Sequence, residues 1–202
     1  MKRQFEIWRY TDLMKAFLFI CLNLIWITNS AFASPVSYEF DQDRSRVGFT
    51  YYLNSEPRRG TMPVVSSEIT IDLANLARSS VRVSLQANDA RTGFFLATQA
   101  MQGRTVLDTR NHPLIRFESL RVRPTAQGAE ITGNLTVRGT TRPVTLTGQL
   151  FRQNAETGGD PSGLSILLTG SLNRSDFGAT GYPNLVEDKI DLRILVRISP
   201  EN

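Results

Sequence analysis

Residues Gly133–Leu146, GNLTVRGTTRPVTL, contain the pattern that decides the fold. Leu135 and Val137 alternate with polar residues, which predicts a strand with one buried and one solvent-facing side. The stretch 139–142 interrupts this alternation, and its first residue is a glycine, which can adopt the positive φ of a tight turn. Pro143 then fits the start of a returning strand, because it lacks the N–H that a ladder needs. We therefore predict a β-hairpin with a turn at 139–142 and an apolar face shared by both strands.

The same alternation recurs along the chain and predicts further strands with one apolar face each. Residues 94–103 differ, since Ala, Leu, Gln and Met favour a short helix that ends at Gly103. We interpret residues 54–60 as a loop. Short alternating strands favour an antiparallel sandwich or barrel, and closure into a barrel hides every apolar face and removes unpaired edges. The further strand segments are 47–53, 69–73, 81–87, 115–117, 166–172 and 190–198.

The first 33 residues have the pattern of a cleaved signal peptide. Four basic residues precede or flank the short apolar run 16–27, and Ala31–Ala33 has the small-x-small form of a cleavage site. An uncleaved N-terminal anchor is the alternative, and Met14 is an alternative start of translation. We expect a mature domain of residues 34–202 without a membrane span.

Composition excludes several function classes for the mature domain. It has 19 Lys and Arg against 17 Asp and Glu, a net charge of +2, which is too small to argue for nucleic acid. The single cysteine, Cys21, lies in the predicted leader, so disulfides, thiolate catalysis and cysteine metal sites are not expected. The single histidine, His112, lies in a predicted turn, and no spacing of carboxylates suggests a catalytic pair. We predict no catalytic residue, metal site or cofactor.

Five stretches in order resemble the YceI family of periplasmic, lipocalin-like, polyisoprenoid-binding proteins. The resemblance implies a lipocalin-like antiparallel barrel that holds a long apolar ligand in its lumen, and a soluble periplasmic protein. The stretches are Ser45–Phe49, Asn111–Ser119, Gly133–Val144, Asn173–Gly178 and Val186–Leu192.

The helical segment is where the chain departs most from the family pattern. Where the family has an Arg-Asp pair and a His-Leu pair, this chain has Ala97-Thr98 and Ala100-Met101. A less polar helix at an open barrel end predicts a gate that sets ligand choice. The alternative is that the segment plugs the barrel end permanently.

The apolar strand faces and the helical segment supply the candidate ligand-binding residues. Gly133, Gly148 and Gly170 occupy inward positions, and we expect them to leave room for a ligand. The alternation also predicts that Arg46, Arg116, Thr136 and Arg193 face solvent. The candidate lumen and mouth residues are Phe49, Tyr51, Phe94, Phe95, Met101, Leu107, Phe117, Leu135, Val137, Leu146, Leu168, Phe177, Leu192 and Ile194.

These observations favour a periplasmic carrier for an isoprenoid or another long-chain amphiphilic lipid, without catalysis. An enzyme acting on such a lipid is a second hypothesis, which requires an acid or base in the lumen. A third is an accessory interaction module for a membrane redox or lipid-modifying system, with a filled barrel. The sequence leaves both a monomer and a homodimer open.

Overall fold

The computed structural model describes residues 34–152 and 162–201. The predicted signal peptide lies outside the described residues, and so does most of the polar stretch at 154–163. In the part that is described, no helix is long and apolar enough to cross a bilayer. The elements are β1 Val36–Phe40, β2 Arg46–Leu53, β3 Glu56–Met62, β4 Val64–Ile71, β5 Ser80–Gln86, β6 Arg91–Thr92, α1 Phe95–Gln102, β7 Leu114–Thr125, β8 Gly128–Val137, β9 Thr140–Arg152, β10 Leu164–Asn173 and β11 Lys189–Pro200.

The strands form one antiparallel ring of eight positions, three of which are occupied by two strands in succession. Both β1 and β2 pair with β11, near Phe40 and near Arg46. Pro63 separates β3 from β4, and a short 3₁₀ turn at Ala87–Asp89 separates β5 from β6. The other edge of β1 pairs with β4, which closes the ring. The described residues therefore form a closed antiparallel β-barrel with one α-helix, as the sequence predicted, and the barrel has eight strand positions.

The predicted register of the strands agrees with the burial of their side chains. Arg46, Arg116 and Arg193 are exposed, and Thr136 lies on the outer face, where its hydroxyl is 2.8 Å from that of Thr141. Across the ladders, Leu192 lies opposite Phe49, so inward residues meet. The residues predicted to point inward are all buried or half-buried: Phe49, Tyr51, Phe117, Leu135, Val137, Leu146, Leu168, Leu192 and Ile194.

Two predicted loops are tighter than the sequence suggested. The hairpin of β8 and β9 turns at Arg138 and Gly139, both with positive φ, and the predicted turn at 139–142 is wrong because β9 already begins at Thr140. Residues 54–60 are likewise not a loop. Asn54 and Ser55 have φ values of 52° and 64°, and they join β2 directly to β3. Two consecutive positive φ values match the twist of a two-residue hairpin, which needs no longer connection.

The end of the barrel away from α1 is filled by side chains. Tyr38, Ile69, Ile71, Leu164 and Ile198 form a buried cluster there. Two strands, β1 and β4, meet β11 in this cluster, so packing there ties the ring shut.

The expectation that inward glycines leave space for a ligand is wrong. A Cβ at Gly133 would lie 2.5 Å from the ring of Phe117, and one at Gly170 would lie 2.8 Å from a methyl group of Leu146. At Gly148 the neighbours within 3.1 Å are Ile131 and Leu168. Large side chains on adjacent strands therefore already occupy the room above each glycine.

We expect Gly133→Ala to lower the free energy of unfolding by about 2 kcal/mol, because the added methyl group also lies 2.5 Å from the backbone carbonyl of Glu118. Gly93→Ala is the matched control, since a Cβ there would meet no atom within 4 Å. Urea unfolding of both variants measures the difference. Equal stabilities would contradict the close packing of Phe117 over Gly133.

One seam of the barrel wall is paired along only part of its length. The β9–β10 ladder ends at Thr147 and Thr169. Both strands continue toward α1, where β9 stays paired with β8 and β10 stays paired with β11. A groove of about 640 Å³ lies where they separate, and Thr145 and Ser171 are among the residues that line it. We call this stretch, residues 143–146 of β9 with 170–173 of β10, the open seam. Its inner side is closed by Leu172 and Phe177, which also line the barrel interior.

Candidate functional site

A cavity of about 400 Å³ occupies the half of the barrel next to α1. This volume lies within the range of ~300–1,000 Å³ typical of small-molecule sites. Its walls are the inner faces of strands near α1, the helix itself, and residues 174–186 that connect β10 to β11. The barrel is therefore hollow at one end and filled at the other.

The structure places nine of the fourteen predicted ligand-binding residues on the wall of this cavity. They come from β2, β8, β11, the helical segment, the turn after it that contains Leu107, and the 3₁₀ turn Arg174–Phe177 after β10. The nine are Phe49, Tyr51, Phe94, Met101, Leu107, Leu135, Val137, Phe177 and Leu192.

The other five predicted residues lie outside the cavity wall. Phe117, Leu146 and Leu168 fill the space over the inward glycines, nearer the packed end. Ile194 lies opposite Leu168 in the same filled half. Phe95 projects outward from the first turn of α1 and is 71% exposed.

Several wall residues were not among the candidates. Leu85 and Ile115 share the inward alternation that identified the others, so the same signal would have found them. Met62 ends β3, whose sequence EPRRGTM has no apolar alternation. Arg174 and the residues of the connection from Ala179 to Val186 carry no periodic pattern. Only the folded path of the chain brings that connection over the barrel.

The helix begins and ends as predicted. It spans Phe95–Gln102, and Gly103 follows it, donating its N–H to the carbonyl of Ala100 at 3.2 Å. No residue of α1 is fully buried, and the helix contains no charged residue. Met101 packs on the core cluster formed by Ile115, Leu135 and neighbouring residues, and it also lines the cavity. The helix thus covers the cavity with one face and leaves the other in solvent.

Of the lining side chains within the described part of the chain, four carry a nitrogen or oxygen atom: Tyr51, Thr92, Arg174 and Tyr182. Tyr51 is 8% exposed, and its hydroxyl has no hydrogen-bond partner among the described residues. Burial of a hydroxyl without a partner costs about 1–3 kcal/mol. Among the described lining residues, Tyr51 therefore contributes a buried hydroxyl that the protein itself does not satisfy.

Replacement of Tyr51 with phenylalanine is expected to raise the free energy of unfolding of the ligand-free protein by about 1 kcal/mol. The ring keeps its packing, including its contact with Phe49 at a centroid distance of 6.4 Å, and only the unpartnered hydroxyl is lost. Thermal unfolding measures the change. A clear loss of stability would show that the hydroxyl has a partner in solution.

Arg174 is a buried cation whose bonds go to backbone carbonyls. Its Nε donates to Glu187 at 3.0 Å and its Nη2 to Val186 at 2.9 Å. Its Nη1 donates to Ala179 at 2.5 Å and to Gly181 at 2.7 Å. Among the described residues it forms no ion pair with a carboxylate. The guanidinium therefore holds in place the connection that roofs part of the cavity.

Among the residues that the structure describes, the cavity offers no carboxylate, imidazole or amine. No Asp, Glu, His or Lys side chain lines it. No three His, Cys, Asp or Glu side chains come together as metal ligands within 34–152 and 162–201. The cavity therefore suits binding of an apolar molecule.

The outer wall of the barrel carries an ion pair between Lys189 and Asp191. The pKa of Asp191 is lowered mainly because Lys189 donates a hydrogen bond to its carboxylate, and also because the hydroxyl of Tyr52 donates one.

Comparison with known proteins places this geometry in a family. Residues 38–198 match the YceI-like domain family. Protein YceI of Salmonella newport is 26% identical over 180 residues, which cover 88% of this chain and 93% of that protein.

Two solved structures share the fold. BcnA of Burkholderia cenocepacia aligns with a TM-score of 0.70 and 18% identity, over 79% of this chain and 99% of that one. A polyisoprenoid binding domain from Saccharophagus degradans, implicated in plant cell wall breakdown, aligns with a TM-score of 0.59 and 10% identity, over 82% and 99%. At these identities the likeness concerns the fold alone.

Proposed function

The chain belongs to the YceI-like domain family, and from this we propose that it is a periplasmic binding protein that carries a long-chain isoprenoid or similar amphiphilic lipid in its barrel. The location is supported by the signal-peptide pattern of residues 1–33. The ligand class is supported by the cavity and by the resemblance in fold to a polyisoprenoid binding domain.

The observation that carries the proposal is the nearly complete absence of polar side chains from the described wall of a 400 Å³ cavity. An apolar cavity of this size in a well-packed domain leaves many dispersion contacts unmade on its inner surface. A hydrocarbon chain supplies those contacts and needs no specific hydrogen bond. Binding of such a chain is therefore the use to which the geometry is best suited.

The energetics of burial are sufficient for this function. Each buried methylene contributes about 0.8 kcal/mol, so roughly ten methylenes contribute about 8 kcal/mol. Association costs of about 4 kcal/mol or more oppose this gain. A chain of ten carbons therefore binds weakly, and a longer chain is needed for a carrier that retains its cargo.

Catalysis on the lipid is disfavoured by the cavity wall as described. General acid–base chemistry requires a titratable group within hydrogen-bond reach of the reacting atom. Among the described lining residues, Arg174 is the charged one, and its guanidinium already donates to four carbonyls. The hydroxyls of Tyr51 and Tyr182 are the other groups that could exchange a proton, and no carboxylate or imidazole lines the described wall beside them. We therefore propose a binding role without turnover.

The test is extraction of the purified protein with organic solvent, followed by mass spectrometry of the extract. We expect a long-chain lipid in near-stoichiometric amount, and displacement of it by a fluorescent long-chain probe. A protein that is purified empty and binds no long-chain probe would refute the carrier role and would favour an interaction module.

A further inference from the structure

The cavity mouth is surrounded by large apolar side chains that remain in solvent. Phe95 and Leu96 are 71% and 75% exposed, and Phe94, Tyr182 and Leu185 are each about half exposed. We call these five residues the mouth patch. Four of them, all except Phe95, also line the cavity. The patch is therefore continuous with the apolar interior of the barrel.

Packing of the barrel does not require Phe95 or Leu96 to be apolar. No residue of α1 is fully buried, and these two side chains project from its first turn. Contiguous exposed apolar patches on soluble domains usually mark a binding surface for a protein or a membrane. The other exposed large apolar residues, such as Leu120 and Phe151, lie on other segments of the barrel.

Cationic side chains lie beside the mouth patch. Arg58 and Arg59 on β3 and Arg91 on β6 are exposed, and the two strands pair just before the chain enters α1. None of the three forms an ion pair with a described residue. The acidic residues near these arginines and near Leu185 are Glu56 on β3, Asp89 before β6, and Glu187 and Asp188. An apolar surface with arginines at its margin is typical of segments that lie in the interface of an anionic bilayer.

We infer that the mouth patch docks on the surface of a lipid bilayer, with Phe95 and Leu96 entering the headgroup region. The choice of a lipid bilayer as the partner rests on the proposed function as a lipid carrier, because the cavity opens through the same mouth patch. A lipid that left the bilayer through water would lose about fourfold in equilibrium population for each methylene exposed. Docking lets the chain pass from bilayer to cavity without that exposure.

The experiment is flotation of the purified protein with phosphatidylcholine vesicles, with and without phosphatidylglycerol. We expect the protein to float with the vesicles, more strongly when phosphatidylglycerol is present and less strongly at high salt. Phe95→Asp should weaken this association at least about tenfold, since a charge replaces an aromatic side chain at the interface. Arg58→Glu together with Arg91→Glu should remove the preference for the anionic vesicles.

Phe151→Asp is the matched control, because Phe151 is also an exposed phenylalanine, at 52%, near the far end of β9. It should float like the unaltered protein. Equal effects of Phe95→Asp and Phe151→Asp, or no flotation of the unaltered protein, would overturn the proposal. The proposal would also be overturned if the protein formed a dimer that Phe95→Asp dissociates and did not bind vesicles, because the mouth patch would then contact a second copy of the chain.

A second measurement separates this proposal from the proposed function. Transfer of a fluorescent long-chain probe from vesicles to the protein should be slower for Phe95→Asp, while the affinity for the same probe in vesicle-free solution stays unchanged. If the unaltered protein failed to bind the probe in vesicle-free solution, this result would refute the carrier role but not docking on the bilayer. Flotation would still report on docking.

Discussion

Replacement of Arg174 with methionine is expected to lower the free energy of unfolding by about 3–5 kcal/mol. Four carbonyls, those of Ala179, Gly181, Val186 and Glu187, lose their donor, and Ala179 and Gly181 are buried. Methionine fills similar space but offers no N–H. Because the acceptors belong to the backbone, no substitution removes both sides of these bonds, and the unpaired carbonyls remain.

The same variant is expected to lose most of its binding of a long-chain probe. The connection from Ala179 to Val186 lines the cavity, and Arg174 donates to carbonyls of this connection, which also has backbone hydrogen bonds such as that from the Gly181 N–H to Thr105. Arg174→Lys is the informative control, since it keeps the charge but not the planar set of five donors, and it should restore only part of the stability. Urea unfolding and probe titration measure the two effects. A loss below about 1 kcal/mol for Arg174→Met would show that the connection is held by other contacts.

Met101→Asp is expected to destabilise the barrel by several kcal/mol and to abolish probe binding. Met101 is half-buried on the core cluster, so a carboxylate there would lie without a partner among apolar side chains. Phe95→Asp is the matched variant on the same helix, and it should change stability by no more than about 0.5 kcal/mol, because Phe95 is largely exposed.

These two variants also distinguish a gate from a permanent plug at α1. A mobile gate contributes little to global stability. If α1 were such a gate, the Met101→Asp variant would lose probe binding but would have nearly the same urea midpoint of unfolding as the unaltered protein. The contacts of Met101 with the core cluster favour the opposite result. Coincident loss of stability and binding would identify this face of α1 as a fixed part of the cavity roof.

The faces of the strands were predictable because alternation is a local property. A strand buries every second residue whatever its neighbours are, so Leu135 and Val137 could be assigned to the interior from the sequence alone. The short helix was predictable for a similar reason, since its composition differs from that of the strands and Gly103 ends it.

The extent of the cavity was not predictable, because it depends on pairs that the chain brings together across the ladder. The sequence predicts free space beside Gly133, but the ring of Phe117 from the neighbouring strand β7 occupies that space. Phe95 and Met101 looked alike on a helical segment, and only the docked helix shows that one faces solvent. Arg174 had no distinguishing pattern, because its partners are backbone carbonyls contributed by residues 179–187.

The open seam between β9 and β10 makes the barrel wall uneven in its resistance to local opening. Near Thr147 and Thr169 both strands are paired on both sides, but toward α1 the facing edges of residues 143–146 and 170–173 lack the ladder that joins Thr147 to Thr169. Separation of these two strands therefore begins without ladder bonds in this stretch. The contacts that oppose it include Leu172 and Phe177 on the inner side and the hydrogen bond from Arg142 Nε to the carbonyl of Asp176 at 3.2 Å. The backbone amides that face the open seam should exchange with solvent well before those of the cluster around Ile198 at the packed end.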